Sequence, residues 1–246
     1  VTAQQVAVGV QRVSYGISNW YLVEDAGGLV CVDAGTPADW HQLTRELARL
    51  GRSLGDVEAV LLTHAHSDHT GFAEQARREA GASVHVHEAD AEAARTGRPG
   101  RAEGGMARYL MRAEAYRTIA GLTRRGALRI VPIQQLAVFH DGEVLDVPGG
   151  PRVVHAPGHT AGSAALWFEA RGFVCSGDAL VTRNPLTGRL GPQIMPTGFN
   201  ENTDQAMASL DAFDGVRADL VLPGHGEPWR GTLADAVRHA QALGRS

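Results

Sequence analysis

The 246-residue chain predicts an α/β fold, and three observations predict it. Short apolar runs of strand character alternate along the chain with stretches of helical character, the pattern expected when helices cover sheet faces. The apolar runs end in turn signals rather than continuing as helices. One strand-and-turn unit recurs in the two halves: Gly27-Gly28 leads into Leu29-Val30-Cys31-Val32-Asp33, and Gly172 leads into Phe173-Val174-Cys175-Ser176-Gly177-Asp178.

The elements follow in order. Ala26-Gly27-Gly28 reads as a hairpin turn that feeds a strand ending on Asp33. A helix is expected from Pro37 to Leu50, then the buried-strand pattern Val60-Leu61-Leu62, then a second helix from Gly71 to Ala80. His85-Val86-His87 is a short strand whose two histidines share the face away from Val86, to pack or meet solvent. A helical insert is expected over about 95–129, because Met106, Tyr109, Leu110, Tyr116 and Ile119 recur at roughly helical spacing. In the second half, Val153-Val154 breaks at Pro157-Gly158 into His159, and the 172–178 run ends on Asp178. A helix at Thr203 to Phe213 then precedes Leu220-Val221-Leu222, which breaks at Pro223-Gly224 into His225. Leu233 to Leu243 closes the chain as a helix.

The chemistry sits in the turns. His64-Ala65-His66-Ser67-Asp68-His69 places four metal-capable side chains in six residues, directly after an apolar strand. A strand that ends in a loop can turn ligands at i, i+2, i+4 and i+5 toward one point, which a continuing strand or helix does not do. Imidazole with carboxylate is a donor set suited to zinc. His159, Asp178 and His225 each follow an apolar run in the same way, so four strand ends can converge on one centre.

The run His64-x-His66-x-Asp68-His69, followed in order by His159, Asp178 and His225, resembles the metallo-β-lactamase superfamily of metallohydrolases, and the resemblance spans Asp33 to His225. It implies a four-layer αββα sandwich of two mixed β-sheets, formed by a single domain over 1–246. It also implies that His64, His66 and His159 hold one Zn2+, that Asp68, His69 and His225 hold a second, and that Asp178 bridges them. Iron or manganese fits the same cage. Two cations about 3.5–4 Å apart bring a bridging water's pKa toward about 7, so a hydroxide is the expected nucleophile, with Asp68 and Asp178 as the carboxylates at the reacting centre. Asp33 is expected to accept the ring N–H of a ligand histidine and fix its tautomer. Thr63, Thr70, Thr160 and Ser163 are expected to hydrogen-bond around the ligands. His41, His85, His87, His140, His155 and His239 are assigned no ligand role.

Composition narrows the class. The chain is 43% hydrophobic with net charge −4, and no apolar run approaches the eighteen residues of a membrane span. Without a basic-then-apolar N-terminal segment, a cytoplasmic location is the expectation. All 23 basic residues are arginine, so any fixed cation in the site must be a guanidinium. Cys31 and Cys175 both lie in apolar strand patterns and are expected as buried thiols.

The 95–129 insert carries nine arginines against Glu103 and Glu114, a local charge of +7. It reads either as a basic lid that draws an anionic small molecule under Tyr109 or Tyr116, or as a solvated face or homodimer contact. Arg183 is a candidate clamp for a substrate carboxylate.

Three activities compete: hydrolysis of a thioester, lactone, ester or β-lactam; phosphodiester cleavage on the same metal core; and iron-based redox chemistry. Asp178 stands where dedicated zinc β-lactamases carry cysteine or serine. Ala179-Leu180-Val181-Thr182-Arg183 lacks the tyrosine of quorum-quenching lactonases. About twenty residues follow His225, so the glutathione-binding helical domain of glyoxalase II is not expected. The negative net charge argues against nucleic acid, and the complete two-metal set argues against a mononuclear iron enzyme. Carbonyl hydrolysis leads.

Overall fold

A computed structural model describes residues 2–25, 27–109 and 111–245, and the side chain of residue 108 is likewise outside the description. Two expected details, Ala26 of the first hairpin and Leu110 of the insert, therefore lie outside the described residues. The strands of the first half are β1 (Thr2–Ala7), β2 (Val10–Ser14), β3 (Asn19–Asp25), β4 (Gly28–Val32), β5 (Val57–Leu61), β6 (Ser83–His87) and β7 (Ala137–Phe139). They form one sheet in that order, antiparallel from β1 to β4 and parallel from β4 to β7. The second half supplies β8 (Arg152–His155), β9 (Ala164–Phe168), β10 (Phe173–Gly177), β11 (Val181–Arg183), β12 (Leu190–Gln193), β13 (Leu220–Pro223) and β14 (Trp229–Arg230). Five of these make a second mixed sheet in the order β14-β13-β10-β9-β8, while β11 and β12 form a separate ribbon.

Strand alternation sorts the apolar residues into layers. Leu22, Cys31 and Val60 face α1 (Trp40–Arg49), α2 (Ala73–Glu79) and α3 (Ala91–Thr96). Their neighbours Tyr21, Val30 and Leu61 face the second sheet, where they meet Leu166, Phe173 and Cys175. The outer face of that sheet, with Ala165, Val174 and Val221, packs on α5 (Thr203–Ala208) and α6 (Leu233–Leu243). The result is the helix–sheet–sheet–helix order of an αββα sandwich. Cys31 and Cys175 are both buried but belong to different cores, which explains why both remain free thiols.

Helix limits shift where the first or last turn tightens. Pro37–Asp39 is a 3₁₀ turn before α1, and Ser209–Phe213 is another after α5. The insert contains a 3₁₀ turn at Met106–Tyr109 and the twelve-residue helix α4 (Ala113–Arg124). Among the described residues, no helix is long and apolar enough to cross a membrane.

The recurring unit seen in the sequence is a recurring pairing. β4 pairs antiparallel with β3 and parallel with β5, and β10 pairs antiparallel with β9 and parallel with β13. Asp33 and Asp178 thus leave corresponding strands, and the His64–His69 loop and His225 follow corresponding neighbours. Parallel pairing brings these carboxyl ends to one rim, where open α/β sheets place their sites.

Candidate metal centre

Each ligand side chain is aimed by a loop that the core holds down. After β5 the chain turns through His64–His69 and is pinned at its far end by Phe72. That ring is fully buried, edge-on to Trp20 at 5.1 Å between centroids and tilted against Trp40 at 6.3 Å. The His225 turn is clamped by Asn19, whose side-chain amide donates to the carbonyls of Pro223 and Gly226, both at 2.8 Å, while the Tyr21 hydroxyl donates to Pro223 O at 2.7 Å. Gly224 admits no other residue. A Cβ there would lie 2.1 Å from Asp178 Oδ1 and 2.8 Å from His69 Cε1.

The seven residues predicted as ligands come together in two overlapping clusters. In one, His66 Nδ1 lies 2.9 Å from His159 Nε2, which lies 3.2 Å from His64 Nε2. In the other, Asp68 Oδ2 lies 3.7 Å from both His69 Nε2 and His225 Nε2. Asp178 stands between them. Its Oδ2 is 3.4 Å from His159 Nε2, 3.8 Å from His64 Nε2 and 3.0 Å from His225 Nε2, and its Oδ1 is 3.6 Å from His69 Nε2.

These separations fit metal ions. Zinc bonded tetrahedrally at about 2.0–2.1 Å spaces its ligand atoms about 3.3 Å apart. Ligand-capable atoms of His64, His66 and His159 all lie within 4.8 Å of one another, as do those of Asp68, His69 and His225 and those of His64, His69 and Asp178. His69 Nε2 and Asp178 Oδ1 are both buried without a hydrogen-bond partner. At 3.6 Å they are too far apart to satisfy each other, and such orphans cost free energy unless something between them completes the shell. A cation does so.

The outer nitrogens are occupied in a way that leaves the inner lone pairs free. His69 Nδ1 donates to Asp33 Oδ2 at 2.8 Å, His159 Nδ1 to Asn200 Oδ1 at 3.2 Å and His225 Nδ1 to the Ile17 carbonyl at 2.6 Å. His64 Nδ1 meets Thr63 Oγ1 at 3.1 Å, and that hydroxyl bonds to Asp33. Each bond selects the tautomer a metal requires. Asp33 stands against the ring nitrogen of a candidate ligand, His69, and does so from an uncommon backbone. It is the one non-glycine residue with positive φ among those described, at 61°, a region aspartate and asparagine enter more readily than other residues.

Electrostatics divide the centre. Burial, then the neighbouring His66, pushes His159 down to about 3, and burial with His69 holds His64 well below the usual histidine value. These are neutral nitrogen donors. Burial also opposes charge on His69, yet Asp178, Asp68 and Asp33 outweigh it and push that imidazole up to about 10. Asp178 stays ionised although burial works against it, because His225 and His69 face it. The half of the site around Asp68, His69 and His225 therefore attracts positive charge.

Two supporting residues escaped sequence reasoning. Asn200 carries no local motif; only the fold brings it behind His159, and its amide is fixed by donation to Met195 O at 2.7 Å. Asp90, buried after β6, accepts from Ala65 N at 2.8 Å, Gly162 N at 2.7 Å and Thr160 Oγ1 at 2.8 Å. It thereby joins the His64–His69 loop to the His159 loop across the two halves. Thr70 donates to His66 O, and Ser163 receives Thr160 N, as hydrogen-bonding roles for both had suggested.

Five of the candidate ligands, His66, Asp68, His159, Asp178 and His225, line a cleft of about 180 Å³. The insert walls it with Pro99, Gly100, Ala102, Thr118 and Leu122, facing Pro185, Met195 and Phe199. The insert is fastened to the body: Thr118 Oγ1 donates to Pro185 O at 2.6 Å, Ser67 Oγ to Ala127 O at 2.7 Å, and Arg125 pairs with Asp39 at 2.6 Å while lying 4.2 Å over the Tyr15 ring.

Three expected substrate contacts are corrected by these positions. Arg183 is ion-paired to Glu114 of α4 and does not line the cleft. Tyr109 is buried in a small apolar cluster with Ala115 and Leu186, behind Gly198. Tyr116 is exposed on the outer side of α4. Among the described residues no arginine lines the cleft, so the basic insert shapes it with apolar and small side chains rather than with charge. His155 is no ligand; it stacks on His87 at 3.9 Å and bonds to Ala161 O.

Fold and site together define a metallohydrolase. The chain belongs to the metallo-β-lactamase superfamily, whose sequence profile matches residues 13–225. A probable metallo-hydrolase of Bacillus subtilis, YflN, is 25% identical over 237 residues, covering 92% of this chain and 87% of that protein. The human acyl-coenzyme A thioesterase MBLAC2 is 29% identical over 169 residues, covering 68% of this chain and 55% of the thioesterase. The crystal structure of a metallo-β-lactamase family protein from Thermus thermophilus superposes with a TM-score of 0.69 at 27% identity, covering 97% of this chain and 80% of that one.

Proposed function

We propose that this protein is a dizinc hydrolase of carbonyl substrates, with thioesters leading over lactones, esters and β-lactams. The carrying observation is Asp178. A single buried carboxylate reaches both ligand clusters, and its Oδ1 is left orphaned opposite His69 Nε2. His64, His66 and His159 would hold one zinc ion and Asp68, His69 and His225 a second, and such a pair would supply Lewis acidity for a carbonyl oxygen and bring a water's pKa toward about 7.

The chain's own residues do the rest. Asp33, Thr63, Asn200 and the Ile17 carbonyl hold four imidazoles in register. Asp68 and Asp178 are the carboxylates beside the reacting atoms and orient the attacking water. The apolar cleft excludes bulk water and holds an acyl chain, which strengthens the electrostatics within it. Among the described residues no arginine lines it, which argues against a phosphodiester, whose negative charge calls for guanidinium contacts. The thioesterase named among the relatives supports the ranking.

The test is turnover of acyl-thioesters, acyl-homoserine lactones, a chromogenic cephalosporin and bis-p-nitrophenyl phosphate by zinc-loaded protein, each with a chelator control. Chelator-sensitive hydrolysis confined to carbonyl compounds is expected, fastest for thioesters. Turnover of the phosphodiester alone would overturn the reading.

A further inference from the structure

Apart from the metal ligands, the cleft wall carries one ionisable side chain among the described residues, Glu201. It is placed by the centre itself. Its backbone N–H donates to His159 O at 3.0 Å, and Ala161 N donates to its Oε2 at 3.1 Å. The other oxygen, Oε1, lies against bare backbone, since a Cβ on Gly100 would fall 1.7 Å from it. Gly100 and Glu201 both line the cleft. Among the described residues no arginine or histidine forms an ion pair with this carboxylate, and Oε1 accepts no hydrogen bond.

An acid so placed is half-buried, with one oxygen bonded within the protein and the other open to a partner from the cleft. With no arginine in the wall among the described residues, the partner that fits Oε1 is a donor that enters with the ligand. A hydrogen bond to a charged acceptor discriminates strongly against a ligand that lacks the donor, because the carboxylate is then desolvated without compensation.

We propose that Glu201 is a specificity residue that accepts a hydrogen bond from a substrate N–H close to the scissile carbonyl. The substrates are thus acyl compounds whose leaving group or acyl portion bears an amide or ammonium, and not simple alkyl esters. This rests on the hydrolase reading above.

The test separates the two. Three ketone analogues, with a methylene in place of the thioester sulfur of S-hexanoyl-N-acetylcysteamine, are titrated calorimetrically into zinc-loaded protein: the parent amide, its N-methyl derivative and the N,N-dimethylamine, whose ammonium keeps one N–H and cannot condense with the ketone. Wild type is expected to bind the parent about tenfold more tightly than the N-methyl compound. Glu201→Ala is expected to erase that difference. Glu201→Gln, whose amide oxygen can still receive Ala161 N, is expected to retain metal content and melting temperature with a reduced preference. Tighter binding of the dimethylamine than of the amide assigns an ammonium, and the reverse order assigns an amide.

Equal wild-type affinity for parent and N-methyl analogues overturns the proposal, as does a preference that survives in Glu201→Ala. Turnover of the matching thioesters is read separately. Discrimination in binding without hydrolysis sinks the hydrolase reading and leaves the N–H assignment standing. Where hydrolysis occurs, the Glu201 effect should fall on KM rather than kcat, which a merely structural role would not produce.

Discussion

Asp33→Asn isolates one hydrogen bond at the metal centre with little other disturbance. Asparagine tolerates positive φ nearly as well as aspartate, so the 61° backbone is preserved. Its carbonyl oxygen can still accept Thr63 N, now at 2.8 Å. The other position becomes an NH2 group facing His69 Nδ1, where a 2.8 Å carboxylate contact exists. Two donors then oppose each other. Relief requires His69 to carry its proton on Nε2, the atom that must offer a lone pair to the metal. A hydrogen bond to a charged group contributes about 1.5–3 kcal/mol, and loss of such a support weakens metal binding by about 10- to 100-fold. Competitive chelator titration reads this directly, with circular dichroism to show an intact fold. Wild-type affinity for both zinc ions in Asp33→Asn would falsify the role given to Asp33.

Gly224→Ala drives a methyl group to 2.1 Å from Asp178 Oδ1, so metal binding should fail, while a Gly81→Ala control, where no atom lies within 4 Å of the added carbon, should lose only stability; metal content by atomic emission distinguishes them. His66→Ala and Asp178→Asn should each collapse hydrolysis, while His155→Ala, which removes only the stack on His87 and the bond to Ala161 O, should leave it nearly intact. Equal losses in all three would sink the ligand assignment. In the metal-free chain His69, pushed up to about 10, is protonated at pH 7, so a metal must displace that proton. Apparent affinity should therefore rise with pH through the neutral range, and calorimetry in buffers of different ionisation enthalpy should show proton release on zinc uptake; an uptake independent of pH would contradict this.

All seven candidate ligands and Asp33 were legible in the sequence, because each stands in a turn directly after an apolar strand and the spacing of His64, His66, Asp68 and His69 leaves few other purposes. The α/β class was legible for a similar reason: strand and helix patterns are local, and alternation along the chain needs no knowledge of contacts. Arg183, Tyr109 and Tyr116 were misplaced because charge and aromatic character at a given position do not say which way a side chain points. Arg183 meets Glu114, Tyr109 is covered by its own insert, and Tyr116 sits on the outer side of the helix. Asn200, Asp90 and the Ile17 carbonyl had no local signature at all, since their partners lie 41, 70 and 208 positions away. Sequence alone therefore picked out the residues that the structure gathers into clusters able to hold a metal ion. The tertiary structure decided which nitrogen of each imidazole faces the centre, what lines the cleft and which acid stands in its wall, because those depend on contacts closed only when the two sheets pack.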